Sequence, residues 1–311
     1  MRTDDIYHIY KLLKIKGVGP VFLNKILSSY SSKENIVYET DKLHSFLNED
    51  QIEEFNKPDD ELQKQIDHLK EANADFISVL DPQYPKILSC TLKNSTPPIL
   101  SYYGNLQLLQ MSSVGFCGSR KVSLKGLEIA KDCVNQLVNQ GFVIVSGYAD
   151  GVDQQVHLVA LESSGSTIIV LPEGLLNFKV RRVLQNIWDW NRVLVISEFL
   201  PKAVWLASRA MQRNKTIIGL SKVMVLVEAG ENGGSIDAGR RSLEMKRKLY
   251  VPLCESSPGD ATAGNKKLLE IGGVQLLKDK KTGSANLNEL IEDVKNFKYN
   301  CISSSVQLTF L

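Results

Sequence analysis

From Ser113 onward the chain alternates between short β-branched apolar runs and helical segments, most of them about eleven to seventeen residues long. The runs are Val114–Cys117, Phe142–Val145, Thr167–Leu171, Val193–Ile196, Val223–Val227, Leu249–Val251 and Val274–Leu276. Between them lie Ser123–Asn139, Val152–Ser163, Val180–Trp190, Ala203–Gly219, Ser235–Lys246 and Asn265–Ile271. Strands that are apolar on both faces and alternate with helices imply a mostly parallel sheet with helices on both faces. The expected fold class is therefore α/β, an extended Rossmann-like architecture. In such sheets ligands bind at the carboxyl ends of the strands, near the point where the strand order reverses.

The residues before this region have a different texture. Between Asp4 and about Ala74, Ile6, Ile9, Tyr10, Leu12 and Leu13, then Phe22, Leu23, Ile26 and Leu27, then Leu62, Ile66 and Leu69 fall at spacings of three and four. That period predicts short amphipathic helices, and residues 1–74 are read as a small helical domain that resembles the sterile-alpha-motif or helix-hairpin-helix type. Phe76–Leu80 is strand-like, but Pro82, Pro85, Pro97 and Pro98 exclude one regular element over the stretch that follows, because proline removes a backbone donor. Residues 75–112 are read as the connection into a core over 113–277. Residues 278–311 are read as one helix, Leu287–Phe297, with a polar tail.

The whole chain of 311 residues carries a net charge of only +2, but the charge is segregated. Residues 1–80 hold 10 Lys/Arg against 15 Asp/Glu, and residues 179–250 hold 14 against 6. A basic stretch of this kind is either a solvated face or the footprint of a polyanion. Five cysteines, Cys90, Cys117, Cys133, Cys254 and Cys301, form no Cys-x-x-Cys pair, a usage that suits a reducing compartment. The start, MRTDDIYHIY, is polar and acidic, and no apolar run approaches the ~18 residues of a membrane span. The expected location is the cytoplasm, with no membrane partner.

Small residues fall where a ligand would approach. Gly118-Ser119-Arg120 follows the first core run, Ser146-Gly147 the second, Gly174 the third, and Gly233-Gly234-Ser235 lies between the fifth run and its helix. Glycines at strand ends allow tight turns and leave free N–H groups at helix amino termini, an arrangement suited to anions. Neither a Gly-x-Gly-x-x-Gly dinucleotide fingerprint nor a P-loop is present; the nearest string, from Gly259 to Lys266, displaces its lysine by one residue.

Read together, Gly118-Ser119-Arg120, the run Ser146-Gly147-Tyr148-Ala149-Asp150-Gly151-Val152-Asp153, His157 with Ala160-Leu161, Ser197-Glu198-Phe199, Arg213-Asn214 with Ile217-Ile218-Gly219-Leu220, and Gly264-Asn265 strongly resemble the DNA-processing protein A (Smf) family. Tyr84-Pro85, Pro97-Pro98 and Gly104-Asn105 resemble its segment before the core. The resemblance covers roughly residues 75–275. It implies an extended Rossmann fold that binds single-stranded DNA, forms homodimers and helps load the recombinase RecA during uptake of transforming DNA. It further implies that Arg120 lies against a phosphate, that Ser146 and Gly147 line the pocket, and that Gly233, Gly234 and Ser235 offer backbone donors. Ser119, Arg213, Asn214 and Lys215 belong to the same candidate set. Phe178 with Lys179, Arg181 and Arg182 combines an aromatic with charge, as single-strand grooves do; alternatively Phe178 is a core residue at a loop end.

Several positions depart from the family pattern. Asp150 stands where the family has Arg or Lys, and Tyr148 replaces leucine. The Tyr-Pro-x-x-Asn segment reads Phe178-Lys179-Val180-Arg181-Arg182, and the Ser-Gly-Ser-Leu loop reads Gly-Gly-Ser-Ile. With roughly 35 residues after Leu276, the carboxyl-terminal winged helix of some members is not expected. Asp150 is expected either to repel the phosphate or to pair with Arg120 or Arg213.

Gly17-Val18-Gly19-Pro20, flanked by Lys14 and Lys16, resembles a helix-hairpin-helix that points N–H groups at DNA; in this acidic region a plain interhelical turn is the favoured reading. Asp153 and His157, four apart, are either an acid/base pair or a structural hydrogen bond. Glu228 either contacts a ribose hydroxyl or caps a turn. His8, His44 and His68 show no metal-ligand spacing, and no cofactor, metal or catalytic constellation is expected. The competing reading, a nucleotide-processing enzyme or nucleotide-signal sensor, rests on Asn232-Gly233-Gly234-Ser235 and Glu244, which resemble the glycine loop of phosphoribohydrolase-like relatives.

Overall fold

The computed structural model describes residues 3–29, 43–253 and 262–299. Cys254, Cys301, the first three residues of the Gly259–Lys266 string and the polar tail beyond 299 lie outside them. Nine strands form one sheet: β1 (Asp75–Ser78), β2 (Ile99–Gly104), β3 (Ser113–Cys117), β4 (Val143–Ser146), β5 (Thr167–Leu171), β6 (Val193–Ser197), β7 (Val223–Leu226), β8 (Leu249–Pro252) and β9 (Val274–Leu276). Their order is β1-β2-β6-β5-β4-β3-β7-β8-β9. The chain winds from β3 outward to β6, then returns to the other side of β3 and winds outward again through β7, β8 and β9. All pairings from β6 to β9 are parallel. The strand order therefore reverses between β3 and β7, and a crevice forms there at the carboxyl ends.

Helices cover both faces, as the sequence predicts. Because side chains alternate across a strand, Val143 and Val145 face one layer and Ile144 faces the other. The first layer holds Leu88, Ile217, Ile218, Ile236 and Leu268, from the helices Lys86–Leu92, Ala207–Leu220, Gly234–Glu244 and Ala263–Glu270. The second holds Ala130, Val134, Leu137, Val156 and Leu290, from Leu124–Asn139, Val152–Glu162 and Asn288–Asn296. The amino-terminal helices Thr3–Lys14, Pro20–Leu27, Glu49–Asn56 and Asp60–Glu71 share a third core with the sheet, in which Tyr10 and Leu69 join Phe76, Ile169 and Val195. The Gly17-x-Gly19 turn is tied into this layer. Asn48 and Gln51 form a capping box, Gln51 Nε2 donates to the Lys16 carbonyl at 3.1 Å, and Lys14 pairs with Asp59.

Three segments differ from the sequence-based expectation. Ile99–Gly104 is a strand that begins immediately after Pro97-Pro98; with β1 it extends the sheet antiparallel along β6. The expected Val180–Trp190 helix is instead a short 3₁₀ stretch, Arg182–Ile187. Only Leu184 within it is buried, and aromatic packing at both ends holds the segment in place of a helical ladder. The helix expected from Ala203 starts at Ala207, leaving Val204, Trp205 and Leu206 non-helical and exposed. Cys117 and Cys133 are buried free thiols, whereas Cys90 is disulfide-bonded, so the expectation of reduced cysteines holds only for the two core thiols.

His157, fully buried on the Val152–Glu162 helix, ties β5 to the loop after β4. Its Nε2 lies 2.6 Å from the Gly147 carbonyl and its Nδ1 2.7 Å from Thr167 Oγ1. A neutral ring donates from Nε2–H to the Gly147 carbonyl, and its Nδ1 shares the single Thr167 hydroxyl hydrogen with the Ile144 carbonyl, 2.8 Å from Oγ1. Burial lowers its pKa to about 4, although the Gly147 carbonyl and Asp153 favour the charged form. The unfolded imidazole, near 6.5, takes up a proton that the folded one refuses. Its stabilising contribution is thus complete above about pH 6.5 and lost as the pH falls toward 4, by at most ~1.4 kcal/mol per pH unit. Urea unfolding at pH 7 and pH 5 should show this loss in the wild type and a smaller loss in His157→Gln; equal losses in both would assign the acid sensitivity elsewhere.

Candidate functional site

A cleft of about 320 Å³ opens at the switch point, lined by Cys117, Gly118, Arg120, Ala149, Asp153, Trp205, Ala207, Ala210, Met211, Arg213, Asn214, Gly234, Ser235 and Ala238. At its base is Arg213, only 5 % exposed although it carries a full charge. The position exists because Gly147 has no side chain: a Cβ there would fall 1.7 Å from Arg213 Nη1 and 2.4 Å from Asp153 Oδ2. Nη1 donates to the Val170 carbonyl at 3.1 Å, and Asp153 Oδ2 lies 4.0 Å away. Arg213 Nε has no hydrogen-bond partner among the described residues. Burial lowers the arginine pKa, and Arg120 lowers it further, while Asp153 and Glu198 oppose both. Two guanidinium groups lining one cleft repel each other, and an anion between them relieves that repulsion.

Asp153 is fixed from several sides. Its Oδ1 accepts from Ser146 Oγ at 3.0 Å and its Oδ2 from the Ala149 N–H at 3.2 Å. Ser146 Oγ, whose single hydrogen is shared between Asp153 and the Phe116 carbonyl 2.8 Å away, is fully buried, so Ser146 and Gly147 build the floor under Arg213 rather than the exposed wall. Asp153 and His157 do not form an acid/base pair, since the histidine contacts go to Gly147 and Thr167. Glu228 is buried and accepts from Ser123 N and Oγ, both at 2.7 Å; it holds Ser123, the N-cap of the Leu124–Asn139 helix, and does not cap the turn after its own strand.

The opposite wall is the amino terminus of the Gly234–Glu244 helix. Gly233 has φ +107°, a conformation that favours glycine, and serves as the N-cap without a side-chain bond. At Gly234 an added Cβ would meet nothing within 4 Å, and the backbone is not left-handed. Packing within the chain therefore does not require glycine there, and the first N–H groups of the helix are left open to close approach. Gly174 is different: a Cβ there would lie 2.2 Å from the Leu200 and Pro201 carbonyls, so this glycine serves loop packing.

The residues singled out from sequence fall into three places. Gly118, Arg120, Arg213, Asn214, Gly234 and Ser235 line the cleft, with Ser119 and Gly233 adjoining it in sequence. Lys215 faces another depression, with Glu198, Gln212 and Arg241. Phe178 and Lys179 line a separate cavity with Tyr103, Gly104 and Trp190. Phe178 is half-buried there, with ring centroids 5.4 Å from Tyr148 and 5.9 Å from Trp188, while Arg182 is exposed. Arg181 is engaged within the chain: it donates to the Tyr148 carbonyl at 2.6 Å, to Gln154 at 2.8 Å and to Asp150 at 2.7 Å. Asp150 thus pairs with Arg181, not with Arg120 or Arg213, and its carboxylate is 78 % exposed. Trp205, Ala210 and Met211 were not singled out, because they stand in a stretch whose start carries no regular apolar period.

The family model for DNA recombination-mediator protein A matches residues 75–292. The DNA processing protein DprA of Streptococcus pneumoniae is 36 % identical over 193 residues, covering 60 % of this chain and 67 % of that protein. Protein Smf of a Synechocystis strain is 28 % identical over 251 residues, covering 76 % of this chain and 62 % of that protein. Among solved structures, DprA from Streptococcus pneumoniae superposes with a TM-score of 0.69 at 25 % identity, covering 96 % of this chain and 99 % of that one. DNA processing protein A from Helicobacter pylori, described for its single-stranded DNA binding mode, superposes at 0.59 with 24 % identity over 72 % of this chain and 97 % of that one, a likeness of fold. Since the family model spans well over half of the sequence, the chain belongs to the DNA recombination-mediator protein A family.

Proposed function

We propose that the cleft between β3 and β7 holds a backbone phosphate of single-stranded DNA, and that the protein acts as a recombination mediator in DNA uptake or processing. The observation that carries this reading is Arg213: a buried guanidinium with an unpartnered Nε, beside Arg120, opposite an unobstructed helix amino terminus. A buried donor without an acceptor costs about 1–3 kcal/mol, which a phosphate oxygen would recover. Such contacts position a strand without reading its bases, so binding should be sequence-tolerant.

The rival reading loses its acid at this geometry. Glu244 sits ten residues from Gly234 along one helix, about 15 Å at ~1.5 Å rise per residue, and cannot join the glycine loop. With His157 and Asp153 committed to structural bonds, binding without covalent chemistry is the reading that the described residues favour. A homodimer and RecA as partner are carried from the family. No described helix is long and apolar enough to cross a membrane. The cytoplasm is carried from the family, with the free core thiols Cys117 and Cys133 in keeping with it and the disulfide-bonded Cys90 against it.

Affinity for oligo-dT should fall linearly on a log–log plot against salt, with a slope of about −0.7 per phosphate contact. Arg120→Ala should weaken binding about tenfold at low salt and make that slope shallower by one contact, while Lys16→Ala changes little. A larger effect from Lys16→Ala would move the site to the amino-terminal hairpin.

The Asp150–Arg181 pair yields a separate expectation. An exposed pair of this kind contributes ~0–1 kcal/mol, so Asp150→Asn should barely move the melting temperature. Arg181→Ala removes bonds to Tyr148, Ala149 and Gln154, together with the guanidinium 4.7 Å from the Tyr148 ring centroid. It should lower the melting temperature by several degrees; an equal effect of the two variants would contradict this.

A further inference from the structure

Three consecutive apolar side chains precede the Ala207–Leu220 helix and stay in water: Val204 is 62 % exposed, Trp205 47 % and Leu206 44 %. Met211, one turn into that helix, is 39 % exposed. These residues could have been core and are not, and the largest of them lines the same cleft as Arg120, Arg213 and Gly234. The other two tryptophans are occupied by ring partners: Trp188 and Trp190 meet edge-on at 5.1 Å, and both pack on Phe178. Trp205 makes no ring–ring contact among the described residues; its one aromatic partner is the Arg120 guanidinium, 5.5 Å from the ring centroid.

We propose that Trp205 is a base-stacking platform that makes the cleft selective for unpaired strands. This rests on the reading of the cleft as a phosphate site. A nucleotide whose phosphate lies between Arg120 and Arg213 carries its base within reach of the cleft rim, where the indole offers an apolar π-surface. Every base has a π-face, so stacking is tolerant of sequence. A paired base is covered on both faces by its neighbours and cannot lie on the indole without being extruded, at the expense of its own stacking and pairing. Phosphate contacts alone would not distinguish single strands from duplexes; Trp205 beside them does. The stacked guanidinium of Arg120 adds a cation–π contact that keeps both groups at the rim.

The test uses the full chain and fluorescence anisotropy with three ligands of equal length: oligo-dT, an abasic strand that keeps the sugar–phosphate backbone, and a duplex. The wild type should bind oligo-dT about tenfold or more tighter than the abasic strand, in line with the loss of one stacked base. Trp205→Ala should bring the two affinities together without changing the melting temperature, and Trp205→Phe should restore most of the difference. Quenching of tryptophan emission by oligo-dT should largely vanish in Trp205→Phe, which retains Trp188 and Trp190. An unchanged preference for oligo-dT in Trp205→Ala overturns the stacking proposal alone. An equal loss on both strands also overturns it, because Trp205 would then act only by holding Arg120. If Arg120→Ala binds all three ligands like the wild type, the phosphate reading fails and the stacking proposal fails with it.

Discussion

A charged guanidinium held in the protein interior sets the arrangement of the whole strand-end surface. Removing a charge from water is costly unless it is paired or hydrogen-bonded, and among the described residues Arg213 is stabilised by the Val170 carbonyl, by Asp153 at 4.0 Å and by the charge of Glu198. Asp153 in turn is held by Ser146 and the Ala149 N–H, and the space for the guanidinium is the side chain that Gly147 lacks. The small, polar Ser146-Gly147 pair therefore follows from the demands of one arginine on the neighbouring helix layer. What the chain leaves unmet, the Nε, lies in a residue that lines the cleft.

The buried histidine that helps to position this charge is itself neutral. His157 links the Gly147 carbonyl to Thr167 on β5 while staying uncharged. A second cation there would raise the cost of burying Arg213. Gly151, with φ +75°, lets the loop after β4 pass against the Ser119 and Arg120 carbonyls, and Val152 N–H donates to the Ser119 carbonyl at 3.2 Å. The loops after β3 and β4 are thereby fixed to each other, which sets where Arg120 leaves the surface. Arg181 does the same from outside, gripping the Tyr148 and Ala149 carbonyls.

The architecture was legible in the sequence because burial on both faces leaves a continuous apolar run, and seven such runs alternating with helices have one economical solution. β2 was not, because Pro97-Pro98 signal an interruption and the strand starts only after it. The Val180–Trp190 helix was misread for a related reason: its apolar spacing arises from aromatic packing of Trp188 and Trp190 on Phe178, not from a helical stripe. Within the site, the glycines and Arg120 were visible because strand ends are a small set of positions. The division of labour among them was not. Whether a glycine yields to a buried arginine, as Gly147 does, to a carbonyl, as Gly174 does, or to nothing, as Gly234 does, is decided by contacts distant in sequence. The Asp150–Arg181 pair spans 31 residues and has no local signal. Trp205 was overlooked because exposure, which makes it informative, cannot be read from its neighbours.

Arg213 Nε, a buried donor without a partner among the described residues, the Gly234–Glu244 helix amino terminus and Arg120 are proposed to converge on one phosphate. A structure of the protein with a short oligo-dT tests it most directly. The account predicts a phosphate oxygen within hydrogen-bond distance of Arg213 Nε or of the first N–H groups of the Gly234–Glu244 helix, with Arg120 on the same phosphate. A strand bound along the Gly17–Pro20 hairpin, or over the Phe178 and Trp190 cavity, with the switch-point cleft left empty, would contradict it.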